Sequence, residues 1–312
     1  MTKKQINLIL LLLFFFQINA QESKVDDALS KHFNELRTNN TSKPAPEIIF
    51  NVNNEKQVID KIKYYFKDSL NDIRSEAYYI CKKIGLGSKE LKIRQISVGC
   101  LLQACKDKDG GISGLASRYL TEFNKNDYNT AALDSLKSLL KAYPRHYENV
   151  LKLAGYLELK DMISFIKEVI SNNSKLSKQA KWAGHLALAR MRVEDDLQYC
   201  LKMVKSVPIN DDVIYEMVPD LIYTRQKAAF EYLITILNSN ELYCSSADPE
   251  SSENIECGYR VMEMLAPVIA DYPLELEASG DIKTDDYSKS LTKVREWFKN
   301  KKNDYVIKTE TF

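Results

Sequence analysis

The chain has 312 residues, 45% hydrophobic and 28% charged, with 44 Lys and Arg against 43 Asp and Glu for a formal charge of +1. Those proportions belong to a folded chain with a core and exclude wholesale disorder. Near-neutrality argues against a nucleic-acid binder, which needs a basic stripe to neutralise phosphates.

Glycine (10) and proline (8) are scarce for this length, which favours helix after helix joined by short turns. Residues 1–20 have the layout of a secretory signal peptide: Lys3 and Lys4, an apolar run from Leu8 to Phe16, and Ala20 at the expected cut. That run is too short to span a bilayer, no cysteine follows it to carry a lipid, and no later stretch is apolar enough to cross a membrane. Removing Lys3 and Lys4 takes the charge from +1 to −1. The mature protein is expected to be soluble and exported, either periplasmic or secreted.

Residues 23–37 predict an amphipathic helix with Val25, Leu29, Phe33 and Leu36 on one side. The linker that follows, TNNTSKPAP over 38–46, leaves that helix either to cap the first repeat or to swing free. Ile48 to Val52 reads as a short extended piece. From Asn54 onward helices succeed one another. A helix over 55–67 precedes one over 72–84 carrying the stripe Ala77, Ile80, Cys81 and Ile84, with Gly85 and Gly87 as its stop. Next come 89–106 and a partner carrying Ile112, Leu115, Ala116 and Tyr119; helices over 130–143 and 145–157 then flank Pro144.

The same i, i+3, i+4, i+7 stripe returns at Met162, Phe165, Ile166 and Val169, and at Leu197, Cys200, Leu201 and Val204. It recurs again at Phe230, Leu233, Ile234 and Leu237, and finally at Val261, Met264, Leu265 and Val268. Four of the five steps fall between 31 and 35 residues; the step from 112 to 162 is 50, room for one extra helix. One hairpin of this size cannot bury its own apolar face, but stacked copies bury each other's. Beyond Val268 a loop leads to a last helix over 288–301, with Leu291, Val294 and Phe298 inward and Trp297 beside them, suited to capping an array. Residues 305–312 read as a loose tail.

The stretches LALARMRVEDDLQYCL, LAGYLELKDMISFI and LIYTRQKAAFEYLITIL resemble HEAT repeats, particularly the short bacterial kind. Two positions depart from that pattern, Arg192 and Arg225 standing where the turn commonly has glycine. The resemblance implies an all-α fold, a right-handed, armadillo-like α-solenoid of stacked HEAT-like helical hairpins over 54–270. Residues 21–53 would supply an N-terminal helix and linker, and 271–312 a loop, capping helix and tail. Such repeats occur in scaffolds, adaptors and a few lyases, so the fold alone does not choose a function.

Six cysteines in an exported chain invite pairing. Cys244 and Cys257 bracket the polar segment SSADPESSENIE and are expected to form a disulfide, worth about 3 kcal/mol in the chain-entropy model. Cys81 and Cys200 sit on apolar stripes and read as buried thiols. Cys100 and Cys105 share a helix and cannot easily bond each other, and the pairing of these four stays open.

No catalytic, metal or cofactor set emerges. His32, His146 and His185 read as structural or exposed, since none has a metalloprotease-type partner. KDKDGGIS is a turn, because Cys105 and Ala116 occupy two calcium-ligand positions. Asp195-Asp196 and Asp211-Asp212 each open a helix and are expected to cap it. In HEAT-type stacks the second helices line the concave side, which would place Tyr79, Lys82, Lys167, Tyr199, Lys202 and Tyr232 there. Tyrosine suits recognition and lysine an acidic partner. The chain is therefore expected to be a non-catalytic scaffold for a protein or peptide partner. The alternatives are a carbohydrate or cell-wall binder stacking sugars on tyrosine, and an α/α-toroid lyase or glycosidase, which needs carboxylates or tyrosine with histidine converging on a cleft.

Overall fold

The structure, a computed structural model, describes residues 24–38, 44–246, 250, 252–302 and 304–312. The expected signal peptide, and 39–43 of the linker, lie outside the described residues. Helix carries the fold; among the described residues the β-structure is one two-stranded ribbon and isolated bridges. No described helix is long and apolar enough to cross a membrane. The chain divides into two compact units, Met1–His146 and Tyr147–Phe312.

In the first unit α1 (24–38) buries Val25, Leu29 and Phe33, as its spacing predicts. It docks on α2 (Glu55–Ile62) and α3 (Asn71–Gly87). Lys61 donates to Asp26 at 2.7 Å, buried His32 meets Glu76 at 2.9 Å, and Phe33 stacks on Tyr65 at 3.8 Å. Residues 48–52, expected to be extended, instead form two 3-10 turns, Glu47–Phe50 and Val52–Asn54. Local hydrogen bonds decide this: the Ile49 amide donates to Pro46 O, the Asn53 amide to the Asn51 side chain, and Asn54 Nδ2 to Ile48 O. Gly85 does not stop α3, which runs on and ends at Gly87 with Ser88 beyond it. A Cβ at Gly85 would lie 2.5 Å from Ser97 Cβ, so glycine lets α4 (Leu91–Ala104) approach closely. Helix α4 also packs against α5 (Gly110–Leu120) and α6 (Thr130–Ala142).

Two hydrogen-bonded rungs repeat in this unit. Arg74, fourth in α3, donates from Nε and Nη2 to Asp107 at 2.8 Å each, and from Nη1 to the Asp68 and Ser69 carbonyls. Arg94, fourth in α4, donates from Nε to Asp127 at 2.7 Å, and from Nη1 to the Ser88 and Lys89 carbonyls. In both, the carboxylate lies 33 residues ahead and the carbonyls six and five behind. The bond from Ser88 to Glu55 also spans 33 residues. KDKDGGIS is the turn expected: Asp107 holds Arg74, and Asp109 caps α5 by accepting from the Ile112 amide.

The second unit runs through α7 (Tyr147–Tyr156), α8 (Ile163–Asn172), α9 (Lys178–Arg190), α10 (Glu194–Lys205), α11 (Val218–Thr224) and α12 (Lys227–Leu237). Then follow α13 (Gly258–Leu265) and α14 (Tyr287–Lys301). Helix α9 packs against α7, α8, α10 and α11, and α11 against α12 and α13. Leu197, Cys200, Leu201 and Val204 are all buried; in the neighbouring stripes Phe165, Ile234 and Met264 are half-buried. One turn recurs three times. Glu158, Arg192 and Arg225 are left-handed, with φ of 52°, 69° and 54°. The amide of each donates to the carbonyl three residues earlier, of Gly155, Ala189 and Ile222. The turn thus keeps its geometry without the expected glycine.

Cys244 and Cys257 are bridged, tying β1 (Cys244–Ser245) to antiparallel β2 (Asn254–Ile255). Arg295 of α14 anchors the ribbon by donating to the Leu237 and Ser239 carbonyls and to Glu256. Cys81, Cys100, Cys105 and Cys200 are free and buried. The acid pairs depart from the capping role. Asp196 faces His185 Nδ1 at 2.7 Å, the Val213 amide is capped by Asn210, and Asp211 accepts from the Ser245 amide and hydroxyl. Residues 305–312 are not loose: Ile307 pairs antiparallel with Ile269, the Ala270 amide donates to Val306 O, and the Lys308 amide to Val268 O. The alternation of β-branched residues in VIKTETF suits an added strand.

Candidate functional site

The recurring turn of the second unit sets a register. Tyr156, Arg190 and Tyr223 each stand two residues before a left-handed residue, near the ends of α7, α9 and α11. Packing α9 between α7 and α11 therefore brings these three equivalent positions together. The Arg190 guanidinium lies 5.1 Å from the Tyr156 ring centre and 4.8 Å from that of Tyr223. Cation–π attraction strengthens in such a desolvated place. Gly155 makes the approach close enough, since a Cβ there would lie 2.7 Å from Ala187 Cα. Arg225, the left-handed residue of the third turn, completes the cluster.

Across this ladder lies the segment 309–312. Arg190 Nη2 donates to the Thr309 and Thr311 carbonyls at 3.3 and 2.7 Å, and Tyr156 Oη to the Glu310 carbonyl at 2.8 Å. Arg225 Nη2 donates to Thr311 Oγ1 at 3.0 Å and to the Phe312 main-chain oxygen at 2.9 Å. The Phe312 ring sits 5.6 Å from Tyr156 and 5.2 Å from Tyr223, at angles of 73° and 54°. Four of these five bonds read only the main chain; the Thr311 hydroxyl and the Phe312 ring are the side-chain features engaged.

The electrostatics are unusual for a buried site. Arg190 is 5% exposed and Arg225 7%. Among the described residues the hydrogen bonds of both guanidiniums go to main-chain oxygens and one hydroxyl, with no Asp or Glu side chain accepting from either. Burial, and then the neighbouring charge of Arg190, pulls Arg225 down to about 10. Burial likewise lowers Arg190 and raises the Tyr223 phenol. Among the described residues the buried Arg225 Nε has no hydrogen-bond partner, a state that costs free energy until something accepts from it. Beside the segment lies a cavity of about 350 Å³, bordered by Lys152, Asp220, Tyr223, Arg225, Met264 and Phe312. Asp220 is engaged there, accepting from Lys152 Nζ and Trp182 Nε1 at 2.5 Å each, while Tyr223 Oη donates to the Lys152 carbonyl.

None of the six residues expected on a concave face lines this groove. Tyr79 (38% exposed) and Lys82 are in the first unit, where Lys82 pairs with Glu122 at 2.7 Å and lies over the Tyr119 ring. The other four are in the second unit, on α8, α10 and α12. Lys167 and Lys202 are exposed. Tyr199, 42% exposed, packs on His185 at 4.1 Å, and Tyr232 sits under Lys205 at 5.1 Å. The groove's tyrosines lie instead on α7 and α11. The signal for them was available, since Tyr156, Arg190 and Tyr223 keep one register against the turn. Among the described residues no group of three or more His, Cys, Asp or Glu could hold a metal ion. Compared with known proteins, the chain matches no family model, no curated protein and no solved structure.

Proposed function

We propose that this chain is an exported, HEAT-like α-solenoid scaffold without catalytic activity, which binds an extended segment of a partner protein along the Tyr156–Arg190–Tyr223 ladder. One observation carries the reading: an extended peptide, the chain's own 309–312, is held there chiefly through its main chain. Main-chain hydrogen bonds supply affinity to any extended segment, and an aromatic anchor supplies selectivity. The 33-residue rungs and the thrice-repeated turn support the repeat architecture. A formed disulfide is compatible with export.

The test sets random nonapeptides and a glycan panel against the full chain and against Arg190→Gln. Selection of aromatic-containing peptides, lost in Arg190→Gln, is the expected result. Glycan binding without peptide selection would replace this reading with the sugar-binding one.

A further inference from the structure

Only Ser88, Lys89 and Glu90 separate α3 from α4, and the two helices fold back on each other as an antiparallel pair. In such a pair a step back along one helix matches a step forward along the other. Gly85 fixes the register, since a Cβ there would lie 2.5 Å from Ser97 Cβ. One turn back on α3 stands Cys81, and one turn on along α4 stands Cys100. Packed helices ordinarily keep their axes about 8–10 Å apart. A glycine set against a serine holds this pair at the near end of that range, where short side chains meet. The two thiols do meet. Their mutual hydrogen bond is the largest influence on each, raising Cys81 and lowering Cys100, while burial adds to the rise and opposes the fall. Lys63 also lowers Cys100. Both cysteines are free; Cys81 is wholly buried and Cys100 is 6% exposed.

We propose that Cys81 and Cys100 form a dithiol site, which exchange with a small external disulfide converts into an intramolecular disulfide that staples α3 to α4. Cys100 attacks first, because it has the exposed edge and the nucleophile is the thiolate. Its sulfur bonds one sulfur of the external disulfide and expels the other as a thiolate. The Cys81 sulfur then bonds the Cys100 sulfur and expels the second external thiolate. The two protons lost by the cysteines end on the expelled thiols, so the pair is oxidised and the external disulfide reduced. The new bond closes a loop of about 20 residues, which restricts the unfolded chain and stabilises the folded one.

The experiment treats the folded full chain with excess bis(2-hydroxyethyl) disulfide, then unfolds it, alkylates it with iodoacetamide and digests it with trypsin. The expected product joins SEAYYICK (75–82) to QISVGCLLQACK (95–106), with fragmentation placing the bond on Cys100 and not on Cys105. The bridged chain should melt about 5 °C or more above the untreated one. Cys81→Ala should accumulate a mercaptoethanol adduct on Cys100, while Cys100→Ala should leave Cys81 unmodified as long as the chain stays folded. Recovery of Cys81 alkylated from treated wild type, or a bond from Cys81 to Cys105, would overturn the proposal. An adduct forming on Cys81 in folded Cys100→Ala as fast as on Cys100 in folded Cys81→Ala would overturn the order of attack and leave the pairing standing. A bridge that forms without raising the melting midpoint would overturn the staple.

Discussion

Replacing Asp107 by asparagine isolates one charge in the first unit. The Arg74 and Asp107 side chains are 2% and 5% exposed and joined by two bonds of 2.8 Å. Asparagine keeps the shape and one acceptor but leaves the buried guanidinium without its counter-charge. Removing one partner of a buried pair costs about 3–5 kcal/mol, and the retained acceptor argues for about 3. For a body of this size that is a fall of roughly 10 °C in melting midpoint. The pH dependence has a definite sign. Burial alone would raise the Asp107 carboxyl; hydrogen bonds from Arg74 and the Asp109 amide, with the Arg74 charge, outweigh it and hold the group below 3.8. A carboxyl depressed on folding stabilises fully above its unfolded value, about 3.9, and the contribution is lost as pH falls through the folded value. Melts followed by circular dichroism should therefore show a constant gap between wild type and Asp107→Asn from pH 5 to 8, closing below about pH 4. A gap under about 2 °C at pH 7, or one unchanged at pH 3, would refute the reasoning.

Three further outcomes are expected. Reducing the Cys244–Cys257 bond, or replacing both cysteines by serine, should cost about 3 kcal/mol and raise proteolysis between Glu241 and Glu256, read by melting and limited digestion. Gly155→Ala forces a Cβ against Tyr223 Oη and Ala187, so it should cost about 1–3 kcal/mol and speed exchange of the tail amides. Burial pushes the Cys105 and Cys200 thiols up to about 12, so both should stay silent to an aromatic disulfide reagent at pH 8 and react on unfolding; labelling of either in the native chain would contradict their burial.

The helical class was legible because six stripes at i, i+3, i+4 and i+7 are strong local signals, and all six are helical with mostly buried members. What failed was decided by short-range hydrogen bonding or by distant partners. The residues of 48–52 look extended one by one, yet Asn51 and Asn54 close turns around them. Gly85 looks like a stop, yet its missing side chain serves Ser97 on the next helix. Asp196 stands where a cap belongs but faces His185 one helix back. The groove does not show in the stripes because its tyrosines lie on α7 and α11 and its tail has no helical period. Its key residues are visible only when the chain is aligned on its turns at 158, 192 and 225.

Hydrogen exchange of the tail amides tests most directly whether the register-matched ends of α7, α9 and α11 hold 309–312. The Lys308 and Ala270 amides should be protected in wild type, through their bonds to Val268 and Val306, and lose about tenfold or more of that protection in Arg190→Gln, which removes two tail contacts. A wild-type Lys308 amide exchanging at the rate of an unstructured peptide would contradict it.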